Sequence, residues 1–329
     1  MKTAWLSKLT IGARVLDASF FGRRVPLSIG WAITKCCNAR CVYCGKWNDP
    51  NDDTPPEEAL ALCDQFIASG VRIISLTGGE PLLRNDLGAI IRRLKAGGIR
   101  VILSSNGILV PKKLDVVQLA DRINISLDGP REIHDRFRGQ GSFDSAVAGI
   151  RAVRETGAPV SITTVLHAAN VGCVDSLPDL AESLDCTINF QPVVGNPEAL
   201  SMGDETSPSP EAMQRAVRFL IDAKRGAVGH RIENSLPSLR NMLSWPKGEA
   251  VVCESRRISC RVEPDGHVHH CGHRHNQLPE TDYRAHGFES AFRALPEYQC
   301  RGCWCTRRYE LNLLMSLNPR LMFNMLRRF

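Results

Sequence analysis

The chain has 329 residues, 43% hydrophobic and 23% charged, a composition that supports a sizeable buried core and excludes disordered and collagen-like classes. No uncharged apolar run approaches the roughly 18–20 residues of a membrane span. The first twenty residues scatter charges where a secretory signal would be uninterrupted, so the expected compartment is the cytoplasm. Thirteen cysteines, an odd count without a signal peptide, point to metal or cluster ligation rather than disulfides.

Residues 1–26 read as a basic helical extension, with Lys2, Lys8, Arg14, Arg23 and Arg24 against Asp17. From Leu27, short β-rich runs alternate with longer amphipathic ones. Strands are predicted at 27–34, 71–77, 99–104, 122–127, 159–166 and 186–192, and helices at 55–69, 84–97, 111–120, 143–156, 174–184 and 208–226. Six β/α units in series predict an α/β fold, a partial (β/α)6 TIM-like barrel over residues 27–228 with its chemistry at the C-terminal strand ends. The polar stretch 195–210 reads as an irregular loop before the last helix. Residues 229–310, rich in cysteine, histidine and arginine with only short strands, form a small second domain, and 311–329 a basic C-terminal helix. The basic, aromatic-bearing ends fit helices docked on the body with a solvated basic face, or a weak contact with an anionic membrane surface. No nucleic-acid partner is expected.

The chemistry begins after the first strand. Cys37, Cys41 and Cys44 are spaced C-x3-C-x2-C on one loop, and three thiolates can hold three irons of a 4Fe–4S cube while the fourth stays open to an exogenous ligand. Cys36 offers a competing frame and is taken as a buried neighbour. A zinc loop is the bland alternative, but it needs a fourth protein ligand that no nearby residue supplies.

That spacing, with the aromatic Tyr43 before the third cysteine, resembles the radical S-adenosylmethionine (SAM) superfamily. Thr77-Gly78-Gly79-Glu80-Pro81 resembles the family's GGE motif, and Ser104-Ser105-Asn106-Gly107, Ile125-Ser126-Leu127-Asp128-Gly129-Pro130 and His134 to Gly139 follow in family order. Singly, each is a common turn; their order over some 110 residues carries the resemblance. It implies cofactor contacts at Tyr43, Gly78, Gly79, Glu80, Ser105, Asn106, Ser126, Asp128 and Arg138. Among these, Tyr43 lies near the adenine, Ser126 at the ribose or carboxylate, and Arg138 on the SAM carboxylate. It also implies reductive cleavage of SAM to a 5′-deoxyadenosyl radical that abstracts hydrogen from substrate, with the electron supplied by a carrier such as flavodoxin or ferredoxin.

In the second domain Cys253, Gly266 and Cys271 stand as C-x12-G-x4-C around an Asp-Gly turn, which predicts a hairpin that brings the two cysteines together. Cys300 and Cys303 then complete four thiolates for one auxiliary 4Fe–4S cluster. This resembles the twitch domain, a shortened SPASM domain, of 2-deoxy-scyllo-inosamine dehydrogenases; the longer form occurs in anaerobic sulfatase maturases. A zinc ribbon is the structural alternative. Cys260 and Cys305 could each replace a member of the set, or serve as free hydrogen donors. Five of the nine histidines fall in 267–275 and read as exposed strand histidines, while Cys63, Cys173 and Cys186 read as core.

The expected function is oxidation of a small hydroxylated molecule, with the second electron passing to the auxiliary cluster. Epimerisation with a cysteine hydrogen donor and modification of a ribosomal peptide are the alternatives, the latter disfavoured because only about 26 residues precede the first strand. A non-catalytic scaffold would leave the SAM motifs without a purpose.

Overall fold

The computed structural model describes residues 2–44, 53–193, 206–247, 253–271, 280–296 and 303–316. Six parallel strands, Ser28–Ala32 (β1), Ile73–Thr77 (β2), Arg100–Ser105 (β3), Arg122–Ser126 (β4), Val160–Leu166 (β5) and Thr187–Pro192 (β6), lie in sequence order. Lys2–Phe20 (α1) precedes them. Pro56–Ala68 (α2), Leu87–Ala96 (α3), Leu114–Val117 (α4), Arg131–Arg138 (α5), Ser142–Glu155 (α6) and Ser176–Ser183 (α7) connect them, and Pro210–Arg225 (α8) follows β6. This is the expected partial barrel. The helices begin where local chemistry allows: α8 opens on Pro210 with the Ser209 hydroxyl accepting from the Ala212 N–H, a side-chain cap on an otherwise orphaned donor.

The burial alternation along the strands records two faces. Ile123 and Ile125 of β4, Ile188 and Phe190 of β6 and Val101 and Leu103 of β3 are fully buried against helices. Their neighbours Ser104, Asn124, Ser126, Thr163, Asn189 and Gln191 are half-buried, facing a polar lumen. The strand register aligns Ser104 with Asn124, Ser126 with Thr163, and Thr163 with Asn189, so these side chains form adjacent rows.

Beyond α8 come Leu236–Met242 (α9), then Ser259–Val262 (β7), His267–His269 (β8) and Thr281–Asp282 (β9), followed by Tyr283–His286 (α10), Phe288–Ala294 (α11) and Thr306–Met315 (α12). β7 pairs in parallel with β1, and β8 and β9 continue antiparallel, so the cysteine-rich segment extends the barrel sheet into nine strands. α12 bridges the seam: the Thr306 hydroxyl donates to the β6 carbonyl of Phe190 at 2.9 Å, and Arg307 and Arg308 donate to Ser28 on β1 and Ser259 on β7. A second apolar cluster of Ile11, Val15, Ala18, Leu27, Ile258, Leu311, Leu314 and Met315 docks α1 on α12, while Phe20 and Phe21 remain 71% and 73% exposed. Most of 195–210 and residues 317–329 of the expected C-terminal helix lie outside the described residues. No described helix is long and apolar enough to cross a membrane.

Phe66 of α2 joins barrel to C-terminal segment, edge-on to Trp31 at 5.3 Å and to Phe288 of α11 at 4.7 Å, with no exposed surface. Phe66→Ala is expected to cost about 3–5 kcal/mol of stability in anaerobic urea unfolding; a loss under about 1 kcal/mol would show that this junction is not closely packed.

Candidate functional site

The first cysteine loop leaves β1 and is gripped by the loops that follow β2, β3 and β4. From β2, the Gly79 N–H donates to the Thr34 carbonyl at 2.8 Å and the Glu80 N–H to the Cys36 carbonyl at 2.7 Å. That approach requires both glycines. A Cβ on Gly78, whose φ is +127°, would stand 2.3 Å from the Thr34 oxygen, and one on Gly79 only 1.9 Å from the Cys36 oxygen. Glu80 is fully buried, its Oε1 accepting from the Leu82 N–H at 3.1 Å and its Oε2 from the Asn106 N–H at 2.8 Å. Burial raises its pKa against these donors. The sequence assigns all three residues to the cofactor; in the structure the glycines seat against the cysteine loop and the Glu80 side chain clamps the β2 loop to the β3 loop.

From β3, the Asn106 side-chain amide donates to Asn38 at 2.7 Å and lies 4.0 Å from the Cys37 sulfur, while the buried Ser105 hydroxyl accepts from the Gly107 N–H at 3.0 Å. From β4 comes Asp128, with no exposed surface. Its Oδ2 accepts from the Tyr43 hydroxyl and from Arg138 Nε, each at 2.5 Å, and its Oδ1 from the Val165 N–H at 3.0 Å. Burial alone would raise the Asp128 pKa; the Arg138 guanidinium outweighs it and holds the carboxyl below its usual range. Arg138 in turn points Nη1 at the Cys41 sulfur, 4.0 Å away. Tyr43 is half-buried between Phe137 and His167. Ser126 lies on the lumen face of β4, level with Thr163.

Cys37, Cys41 and Cys44 form one electrostatic group. Burial pushes the Cys41 thiol up to about 11, with Cys44 and Cys37 adding to the rise and Arg138 opposing it; Cys37 is raised by burial and by Cys44. Thiols in this condition ionise when a metal takes the proton's place, as ligation of a cluster requires. Cys36 contributes its backbone to the Glu80 contact.

A second thiol group sits at the opposite end of β1, beside the start of β7. Burial raises the Cys303 thiol, and Cys305, Cys253 and Cys271 raise it further. Cys305 thus stands with the set in which the sequence reading placed Cys300, a residue outside the described region. The hairpin tip between β7 and β8 ties the two ends together, since Lys35 Nζ meets Asp265 at 3.2 Å and the Thr54 hydroxyl donates to the Pro264 carbonyl at 2.8 Å. Among the described residues, no three His, Cys, Asp or Glu side chains are grouped as a single metal ion would need.

Several expectations change. Cys260 is 1% exposed and paired in register with Ile29 on the helix-facing side of the sheet, and burial pushes its thiol up to about 12. A hydrogen donor has to reach the lumen, and Cys260 does not. His269 and His270 are 3% and 4% exposed rather than solvated, His267 meets Asp265 at 3.0 Å, and His273 and His275 lie outside the described residues. Cys63 and Cys186 are core, whereas Cys173 is half-buried in the turn after β5. Sequence reasoning missed His167, which follows β5 and stacks on Phe137 at 4.1 Å with neither ring nitrogen hydrogen-bonded. Burial lowers its pKa to about 4, so the ring is neutral. Nothing in the local sequence marks it.

Residues 31–177 match the family model of the radical SAM superfamily, which marks this part of the chain as a radical SAM domain. Fe-coproporphyrin III synthase of Methanosarcina barkeri is 35% identical over 160 residues, 46% of this chain and 40% of that protein. Mycofactocin maturase MftC of Mycolicibacterium smegmatis is 27% identical over 271 residues, 78% of this chain and 67% of that one. The chain spans under half the length of the haem-synthase-type relatives it matches, 40% and 48%. The structure of anSMEcpe with bound AdoMet and Cp18Cys peptide superposes with a TM-score of 0.62 at 16% identity, covering 92% of this chain and 99% of that one. A radical SAM domain binds a 4Fe–4S cluster and SAM, and the loop of Cys37, Cys41 and Cys44 fits that cluster in thiol number and in its open corner.

Asp128→Asn keeps the shape of the hub and removes its charge, leaving Arg138, 10% exposed, without its counter-ion. The expected loss is about 3–5 kcal/mol. The carboxylate's contribution is present above the ordinary pKa of about 4 and fades as pH falls towards the lower folded value, so the variant's stability should be flatter across that window. Urea midpoints measured from pH 7 downwards would check this; parallel profiles for variant and wild type would contradict it.

Proposed function

We propose that the chain is a radical SAM oxidoreductase that oxidises a polar, hydroxylated substrate held in the barrel lumen. The observation that carries this reading is the second thiol group, Cys253, Cys271, Cys303 and Cys305, at the start of α12. Bound at the two thiol groups, a SAM-ligated cluster supplies a hydrogen-abstracting radical and an auxiliary 4Fe–4S cluster a one-electron acceptor. A hydroxylated carbon that yields one hydrogen atom, then one proton and one electron, becomes a carbonyl.

The chain's own residues have distinct tasks. Asp128 fixes Tyr43 and Arg138 around the cysteine loop, and Glu80 and Asn106 hold its far side. Ser104, Asn124, Ser126, Thr163, Asn189 and Gln191 offer the lumen a uniform lining of hydrogen-bonding groups, which suits a small hydroxylated molecule better than an apolar one. α12 closes the seam between β6 and β7 and limits water entry. A small one-electron carrier such as flavodoxin or ferredoxin is the proposed donor.

Peptide modification is the second reading, supported by the span of the likeness to the maturase MftC, 78% of this chain. The test is anaerobic turnover with deuterated candidates of both kinds, polyols or aminocyclitols and short peptides. Transfer of deuterium into 5′-deoxyadenosine identifies the class, and a product lighter by two hydrogens marks oxidation. Cys303→Ala should still cleave SAM and yield at least about tenfold less oxidised product. A product at the oxidation level of its substrate, formed equally well by Cys303→Ala, would overturn the oxidoreductase reading in favour of epimerisation.

A further inference from the structure

The first turn of α12 carries two adjacent arginines to the foot of the barrel, and among the described residues neither forms a salt bridge. Arg308 is 8% exposed, and its guanidinium donates to the Ser259 hydroxyl at 3.2 Å; Arg307, half-buried, donates to the Ser28 hydroxyl at 2.9 Å. Serine hydroxyls satisfy hydrogen bonds but supply no charge. A buried guanidinium stays ionised under all ordinary conditions, so it demands an anion nearby or destabilises the fold.

Arg308 belongs to the helix that the second thiol group leads into. Cys253, Cys271, Cys303 and Cys305 all lie within electrostatic range of it, and Cys305 is three residues away at the N-cap of the same helix. A protonated thiol carries no charge that could balance a guanidinium. As ligands of an iron–sulfur cube the cysteines are thiolates, and the assembly is anionic.

We propose that Arg308, backed by Arg307, is the counter-charge of an iron–sulfur cluster held by Cys253, Cys271, Cys303 and Cys305, and that it biases this cluster towards its reduced state. The proposal rests on the reading of this thiol group as a cluster site. Taking up one electron adds one negative charge to the cluster, and a fixed cation in a low-dielectric setting favours the more negative form. That bias suits an electron acceptor. Arg307 reinforces it as a second guanidinium on the same helical turn, held on the neighbouring strand by the Ser28 hydroxyl. The two serines fix the geometry from adjacent strands, since Ser28 and Ser259 are in register on β1 and β7.

The test uses the full chain, reconstituted anaerobically, with Arg308→Met, Arg308→Lys and Arg307→Met, and an EPR-monitored redox titration of both clusters. In Arg308→Met the iron content and the midpoint of the SAM-binding cluster should be unchanged. The auxiliary midpoint should fall so that the oxidised-to-reduced ratio at a fixed poise rises roughly tenfold, about 59 mV for one electron. Arg308→Lys should keep most of the wild-type value, and Arg307→Met should shift it in the same direction by less. Should Arg308→Met lose its auxiliary iron, the Lys and Arg307 variants carry the comparison. Full iron with an unmoved auxiliary potential in the charge-removing variants overturns the proposal and leaves the cluster site standing. A wild-type protein with no second cluster signal overturns the cluster site itself, and the proposal with it.

Discussion

Asp128 sits at the end of β4 with both oxygens occupied, and three parts of the molecule converge on it: the cysteine loop through Tyr43, α5 through Arg138, and β5 through the Val165 N–H. Its own N–H reaches the His134 ring at 3.0 Å, and its carbonyl accepts from Asn170 at 2.6 Å. A buried carboxylate is unfavourable unless charge and hydrogen bonds compensate it, and here each compensating group comes from a different part of the barrel mouth. The arrangement of the mouth therefore follows from one desolvated charge. Arg138 is the other half of that constraint: held by Asp128, it presents a cationic edge to Cys41, where a thiolate has to form.

The two thiol groups lie at opposite ends of the β1 and β7 pair, with the polar lumen between them. This gives the barrel a direction. On the proposed function, hydrogen abstraction falls at the C-terminal strand ends, where the loops of Cys37, Asn106 and Asp128 meet, and charge disposal at the foot, where α12 brings its arginines against β1 and β7. The tip of the β7–β8 hairpin, clasped by Lys35 and Thr54, locks the position of the foot relative to the mouth.

Much of this was legible in the sequence because the signals are local. Each of the six strands falls within a residue or two of its predicted range, since alternating Ile, Val and polar residues between glycine-bearing turns leave little ambiguity. The C-x3-C-x2-C loop is equally local. What was not legible is long-range. The parallel pairing of β7 with β1 joins segments some 230 residues apart, and no pattern within Ser259–Val262 announces it. α5 escaped notice because RFR and its neighbours are mostly charged, with Phe137 and His134 the main buried anchors. The choice between Cys260 and Cys305 turned on which face of a strand a thiol occupies, and that depends on register rather than on spacing. Glu80 carries a role the motif alone does not show: its side chain holds two backbone N–H groups and so clamps two loops of the barrel mouth together.

Two separate cluster sites in one chain are the central proposal, and the metal content reads them directly. Anaerobically reconstituted protein, analysed for iron, sulfide and zinc with Mössbauer spectroscopy to assign the iron, should hold about eight irons per chain, all in 4Fe–4S clusters. About four irons with one zinc would place a structural ribbon at the foot of the barrel and contradict it.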